Sequence, residues 1–134
     1  MEAVILGSGR LTNLLLPTLL KDGYHVTVLD DDSDALERLA AKGKIDTILI
    51  LEPHMQDYLQ QANIDTSELF LAMSDDDCRN ALMAQIARYL FNVPMVICLL
   101  DDPHLQELYT ELGLDVVGSS SSDISQNVRQ ALKG

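Results

Sequence analysis

Short apolar runs alternate with segments of helical periodicity along the chain, and this alternation restricts the folds that it can adopt. In the segment between residues 77 and 91, for example, Leu82, Ile86 and Leu90 recur at helical spacing. Six runs have the length and composition of strands: Ala3–Leu6, His25–Leu29, Thr47–Leu51, Leu69–Met73, Met95–Leu99 and Asp115–Val117. Strands that alternate with helices form parallel sheets that are covered on both faces. We therefore expect a three-layer α/β fold with a parallel six-stranded sheet and helices on both faces.

Length and charge narrow the class of protein further. The chain has 134 residues, which is enough for one domain, and its formal net charge is −12. Binding to a nucleic-acid backbone requires a basic face, so we expect no nucleic-acid partner. The apolar runs are far shorter than a membrane span, and Met1–Leu6 contains no basic stretch. We therefore expect a cytoplasmic protein without direct membrane insertion.

The turn after the first strand is the most specific local signal. Gly7, Ser8 and Gly9 separate this strand from a helical segment, and Asp30 closes the second strand. In Rossmann-like folds such glycines make the tight turn and let the backbone approach a pyrophosphate, while the acid binds ribose hydroxyls. The spacing therefore predicts a Rossmann-like fold with a nucleotide at this turn.

Two residues modify the expectation for the first helix. Thr12 stands where the glycine pattern requires its third glycine, and Pro17 would interrupt a helix that began at Arg10. We therefore expect Thr12 or Asn13 to be the N-cap, which would lengthen the loop and move the positive helix end away from the phosphates. Arg10 is the cation of this loop and is either a phosphate partner or a solvated residue.

Acidic residues follow four of the predicted strands, at the edge of the sheet where ligands of open α/β folds bind. They are Asp30–Asp32, Glu52, Asp75–Asp77 and Asp101–Asp102. The last two clusters are expected mainly to cap helices, with Asp102 as an N-cap before Pro103. An alternative is a cationic ligand, or one bridged by a divalent metal. The histidines have no metal-ligand spacing, and we assign no catalytic residue and no protein metal site.

The ordered series of these motifs resembles the N-terminal domain of the RCK (regulator of potassium conductance) or TrkA-N family over essentially the whole chain. The matching pieces are Gly7–Arg10, Asp30 with Asp32, and residues 59–65, 72–80, 90–97, 102–103 and 108–117. The resemblance implies a cytoplasmic module that binds NAD(H), ATP, ADP, AMP or a similar nucleotide. It also implies a homodimer or larger ring that regulates a membrane potassium channel or transporter subunit.

The resemblance also implies a role for individual residues. The phosphates would lie at Gly7, Ser8, Gly9, Arg10 and Leu11, and the ribose at Asp30 beside Asp31 and Asp32. The adenine would lie near Glu52, and the second half of a dinucleotide at Met73 and Ser74. Thr12, Leu51 and Leu99 depart from the family pattern at ligand-facing positions. These departures favour a smaller adenine nucleotide over NAD, or a site that has been lost.

We therefore expect residues 1–134 to form a single regulatory domain that binds a ligand without turnover. A helix within residues 120–134 is expected to reach a dimer partner. The alternatives are a nucleotide-free interaction and assembly module, or the cofactor domain of a dehydrogenase whose catalytic partner is missing.

Overall fold

The computed structural model describes residues 1–51 and 55–118, in which strands and helices alternate. The strands are β1 (Glu2–Leu6), β2 (His25–Asp30), β3 (Asp46–Leu49), β4 (Leu69–Ala72), β5 (Met95–Leu99) and β6 (Asp115–Val117), and the helices are α1 (Arg10–Lys21), α2 (Ser33–Ala40), α3 (Met55–Gln61), α4 (Asp77–Gln85) and α5 (Pro103–Glu111). A short 3₁₀ helix covers Ile64–Thr66, and a π-helical turn, Ile86–Leu90, follows α4. Glu52 and the helix predicted within residues 120–134 lie outside the described residues.

All six strands are parallel and form one sheet in the order β3-β2-β1-β4-β5-β6. This arrangement confirms the predicted Rossmann-like fold. At the carboxyl end of the central strand, Leu6 is paired with Leu29 on one side and with Ala72 on the other. The direction of the strand order changes between β1 and β4, and this change opens a crevice above their carboxyl ends.

Two apolar cores cover the two faces of the sheet. Successive residues of β1 alternate between them, with Val4 and Leu6 in one core and Ala3 and Ile5 in the other. The first core also contains residues of α3 and α4, and the second contains residues of α1 and α2. Since β1 is buried on both faces, it is an almost continuous apolar run, as expected of a central parallel strand.

The first helix begins earlier than predicted. It starts at Arg10 with Gly9 as its N-cap, so Pro17 lies inside it. The expectation of a later start was wrong because Thr12 and Asn13 do not act as caps. From within the first turn, the Thr12 hydroxyl donates to the Gly7 carbonyl at 2.7 Å, and the Asn13 amide donates to the Gly9 carbonyl at 2.9 Å. These bonds tie the first turn of the helix to the loop that precedes it.

The predicted helix caps are confirmed. Asp76 accepts a hydrogen bond from the backbone N–H of Arg79 at the start of α4, and Asp102 accepts one from that of His104 at the start of α5. Asp32 caps α2 in the same way. The segment predicted as one helix over residues 77–91 becomes π-helical after Gln85. There the Phe91 N–H donates to the Ile86 carbonyl, five residues back.

Within the ranges given above, no helix combines the length and the apolar character that crossing a membrane requires.

Candidate functional site

A cleft of about 540 Å³ lies at the carboxyl edge of the sheet, above the ends of β1, β2 and β4. Every predicted site residue that the structure describes lines it, namely Gly7, Ser8, Gly9, Arg10, Leu11, Asp30, Asp31, Asp32, Met73 and Ser74. Glu52, the remaining predicted residue, lies outside the described residues. The structure therefore brings together residues that are up to 67 positions apart, from Gly7 to Ser74. The volume lies within the usual range of small-molecule sites.

The glycines of the first turn have different surroundings. Gly7 has a φ of +109°, and a Cβ atom there would lie 2.8 Å from the carbonyl carbon and oxygen of Met73. A Cβ atom on Gly9 would have no other heavy atom within 4 Å. Gly7 is thus required by the packing of the loop against the end of β4. The open space at Gly9 leaves room for a ligand to approach the backbone.

The amino end of α1 faces this cleft through Arg10 and Leu11. Among the described residues no side chain caps α1, whereas Asp32, Asp76 and Asp102 cap α2, α4 and α5, which begin at the same edge. The first N–H groups of a helix have no partner within the helix and carry a partial positive charge. The arrangement can therefore receive an anionic group such as a phosphate.

Asp30 is tied to the glycine loop. One carboxylate oxygen (Oδ2) accepts the backbone N–H of Ser8 at 2.6 Å and the Ser8 hydroxyl at 2.5 Å. The other (Oδ1) accepts the N–H groups of Asp31 at 2.7 Å and Asp32 at 3.3 Å. Burial raises the pKa of Asp30, but hydrogen bonding with Ser8 and Asp31 outweighs burial and lowers the pKa overall. The carboxylate is therefore ionised at neutral pH and holds the end of β2 against the loop.

The other wall of the cleft depends on Asn80, which is fully buried. Its Oδ1 accepts the N–H of Ser74 at 3.0 Å and the Ser74 hydroxyl at 2.6 Å. Its amide nitrogen donates to the carbonyls of Ser74 at 2.8 Å and Leu99 at 2.9 Å. Asn80 thereby joins the segment after β4 to the end of β5. No role was predicted for Asn80 from the sequence, although its helical spacing from the apolar residues Met83, Ala84 and Ala87 was a usable signal.

Two further arginines, neither of them predicted from the sequence, line the cleft. Arg38 comes from the last turn of α2, and Arg79 comes from the first turn of α4. The Arg79 guanidinium lies 3.5 Å from the Asp31 carboxylate, so an ion pair links the two walls of the cleft. Together with Arg10, these residues place three cations among the five aspartates that line it. The cleft therefore offers several cationic side chains to an anionic group in spite of its acidic rim.

The acidic clusters are engaged with the backbone. Asp77 accepts the N–H groups of Asp101 and Asp102 at about 3 Å, in addition to the helix caps already described. In residues 1–51 and 55–118, no group of three or more His, Cys, Asp and Glu side chains is placed to hold a metal ion. Cys98 is buried, and burial together with the Asp77 charge raises the pKa of its thiol to about 12, so it is unreactive.

The TrkA-N domain model matches residues 3–120. One similar relative is the Trk system potassium uptake protein TrkA of Streptomyces coelicolor, which is 32% identical over 134 residues, or 98% of this chain and 59% of that protein. The TrkA homolog of Methanothermobacter thermautotrophicus is 28% identical over 87% of this chain and 53% of its own length. The chain thus spans between half and three fifths of these two relatives.

Solved structures share the fold. The TrkA-N domain of the inner membrane protein ybaL from Escherichia coli matches with a TM-score of 0.75 and 18% identity, over 98% of this chain and 94% of that one. The Kef C-terminal domain of Shewanella denitrificans, in its AMP-bound form, gives 0.69 and 14%, over 99% and 90%. The GsuK channel bound to NAD gives 0.68 and 18%, over 98% and 23%. At these identities the likeness shows the fold alone.

Proposed function

The chain belongs to the TrkA-N domain family, and we propose that it is a nucleotide-binding regulatory domain of a potassium transport system. The observation that carries the proposal is the convergence of three features on one cleft: the Gly7–Gly9 loop, the uncapped amino end of α1 and the carboxylate of Asp30. Together they offer space for phosphates, positive electrostatic potential and an acceptor for ribose hydroxyls.

The residues of the cleft fit an adenine nucleotide. A phosphate would approach the backbone at Gly9, where a Cβ atom would meet nothing, and Arg10 and Arg79 would supply counter-charge. Asp30 is ionised and lies at the end of β2, where the ribose of a Rossmann-bound nucleotide is held. Of the solved structures that share this fold, the Kef C-terminal domain is in its AMP-bound form and the GsuK channel is bound to NAD. The ligand is therefore NAD(H) or a smaller adenine nucleotide such as ATP, ADP or AMP.

A ligand in this cleft would contact both halves of the sheet, because β1 and β4 flank the position where the strand order changes direction. It would thus favour one relative arrangement of the two halves over others. In a homodimer or ring, such a preference would shift the population of assembly geometries by the difference in affinity between them. This is binding without turnover, and it would pass a nucleotide signal to a membrane potassium channel or transporter subunit from the cytoplasmic side.

Thermal unfolding of the purified chain against NAD, NADH, ATP, ADP and AMP tests the binding step. A ligand at about a hundred times its Kd adds about 2.7 kcal/mol, which raises the midpoint by several degrees. The proposal expects a selective rise with at least one nucleotide. Asp30→Asn should abolish that rise, while Asp65→Asn, at an exposed position of the 3₁₀ helix before β4, should preserve it.

If none of the five nucleotides raised the unfolding midpoint, the result would contradict the binding step and favour a nucleotide-free assembly module. For the regulatory step, sedimentation of the chain with and without the nucleotide that binds measures the change in assembly. Potassium uptake by cells that carry the Asp30→Asn variant then measures its consequence. Uptake that no longer responds to nucleotide is the expected result, and unchanged regulation would contradict the proposal.

A further inference from the structure

The hydrogen bonds of Asp30 leave its carboxylate without a spare acceptor position. A carboxylate has about four lone-pair sites, and the structure directs four donors to them: the Ser8 N–H, the Ser8 hydroxyl, and the N–H groups of Asp31 and Asp32. A ribose hydroxyl that binds this carboxylate must therefore displace one of the four. Three of the donors belong to the backbone of the loops and cannot leave without moving the chain.

The Ser8 hydroxyl is the donor that can leave. It is a terminal group on a rotatable bond, and its removal from Asp30 leaves the 2.6 Å bond from the Ser8 backbone in place. We propose that the Ser8 side chain occupies the acceptor position of Asp30 that a ribose hydroxyl requires, and that it thereby sets the affinity and sugar specificity of the site. This inference rests on the proposed nucleotide-binding function.

The surroundings of Ser8 support this role. The residue is only 6% exposed but lies in the wall of the cleft, so its hydroxyl is beside the space that a ligand enters. A hydrogen bond to a charged acceptor is stronger than one between neutral groups. Loss of the serine hydrogen bond therefore cancels much of the binding free energy that a ribose hydroxyl gains at Asp30. Ser8 therefore weakens ribose binding, and it reduces the discrimination between ribose and deoxyribose.

The test compares Ser8→Ala with the natural chain by calorimetric titration of AMP, 2′-deoxy-AMP and 3′-deoxy-AMP. Ser8→Ala is expected to bind AMP about tenfold more tightly, the effect of one hydrogen bond to a charged group. The gain should disappear for the analogue that lacks the hydroxyl bound by Asp30. Ser67→Ala is the matched control, because Ser67 is 5% exposed and its hydroxyl donates to the Asn63 carbonyl at 2.9 Å before β4, at the opposite edge.

A second readout needs no nucleotide. Carbon-detected NMR titration of the Asp30 carboxyl should show a higher pKa in Ser8→Ala than in the natural chain, since the lost hydroxyl stabilised the charged form. An unchanged pKa would overturn the inference. The inference would also be overturned if the natural chain bound AMP and Ser8→Ala bound it no more tightly, or if Ser8→Ala bound all three ligands more tightly by the same factor. In either case the proposed function would stand. If neither protein bound any of NAD, NADH, ATP, ADP and AMP, the proposed function would be overturned as well.

Discussion

A Cβ atom on Gly7 would lie 2.8 Å from both the carbonyl carbon and the carbonyl oxygen of Met73, so the turn after β1 is packed directly on the backbone at the end of β4. This contact joins the two central strands at the point where the strand order changes direction. The contact thereby fixes the position of the Gly7–Gly9 loop in the wall of the cleft.

The Gly7→Ala variant is expected to be strongly destabilised. The backbone has a φ of +109° at this position, which L-residues rarely adopt, and the added methyl group would collide with main-chain atoms that cannot rotate away. We expect the free energy of unfolding to fall by about 3 kcal/mol or more and the midpoint by on the order of 10 °C. Thermal unfolding followed by circular dichroism measures this, and a change within about 0.5 kcal/mol would contradict the packing described.

The Gly9→Ala variant should lose nucleotide affinity while it keeps most of its stability. Its Cβ atom meets nothing within 4 Å, and the backbone of Gly9 is extended, with a φ of −82°. Alanine is a poorer N-cap residue than glycine, so the free energy of unfolding should fall by about 1 kcal/mol at most, far less than in Gly7→Ala. The added methyl group occupies the space through which a phosphate would approach, so nucleotide affinity should fall at least about tenfold. If the natural chain and Gly9→Ala bound the nucleotide with equal affinity in a titration, the phosphates would not lie over Gly9.

Asn80→Ala tests the support of the second wall. The substitution removes four hydrogen bonds and leaves the buried carbonyl of Leu99 without its Asn80 donor. An unpaired buried group costs about 1–3 kcal/mol, so we expect a loss of about 2–4 kcal/mol in urea unfolding. Gln85→Ala, which removes one bond to the Ala81 carbonyl on a half-buried face of the same helix, is the control and should have a small effect. If both variants lose the same amount, Asn80 has no special structural role.

His25, at the edge of the sheet opposite the cleft, should make the free energy of unfolding depend on pH. Its Nδ1 lies 2.7 Å from Glu2 and its Nε2 lies 2.9 Å from Asp46. The hydrogen bond to Glu2 raises the pKa of His25 above 6.5, burial lowers it, and the charges of Glu2 and Asp46 raise it further, with a net increase. The stabilisation is therefore fully present below pH 6.5 and is lost as the pH rises through the higher pKa of the folded state.

The size of this effect is modest because the His25 side chain is 48% exposed, and each such ion pair contributes up to about 1 kcal/mol. Urea unfolding between pH 6 and pH 9 should show the natural chain losing its advantage over His25→Gln as the pH rises. Glu2→Gln should remove most of the same pH dependence. An advantage that grows with pH would contradict the assignment.

Local patterns in the sequence were enough to predict the sheet and much of the cleft. The strands are short apolar runs, and Asp76 and Asp102 cap helices through neighbours two or three residues away, so periodicity and capping rules predict them. The early start of α1 was not predictable in this way. Thr12 and Asn13 could act as caps or bond backwards to the loop, and the choice depends on how the turn packs against β4.

The remaining site residues depend on contacts between distant parts of the chain. Asn80 acts through Leu99, which is 19 residues away, and Arg79 pairs with Asp31 across the cleft. Whether Arg38 faces the cleft is decided by the rotation of α2 about its axis, which packing of Leu36 and Leu39 fixes. Likewise, the bonds that fill the acceptor sites of Asp30 join it to Ser8, 22 residues earlier.

Backbone amide chemical shifts, recorded by NMR as AMP or NAD is added to the natural chain, show directly whether a nucleotide binds in this cleft. We expect the largest changes at Gly7–Leu11, Asp30–Asp32, Met73 and Ser74, while the chemical shifts of the amides around His25, at the opposite edge, should not change. Saturation of these changes with increasing ligand would establish the cleft as the nucleotide site. Changes confined to the edge around His25, or a spectrum unaffected by AMP, NAD, NADH, ATP and ADP in turn, would contradict it.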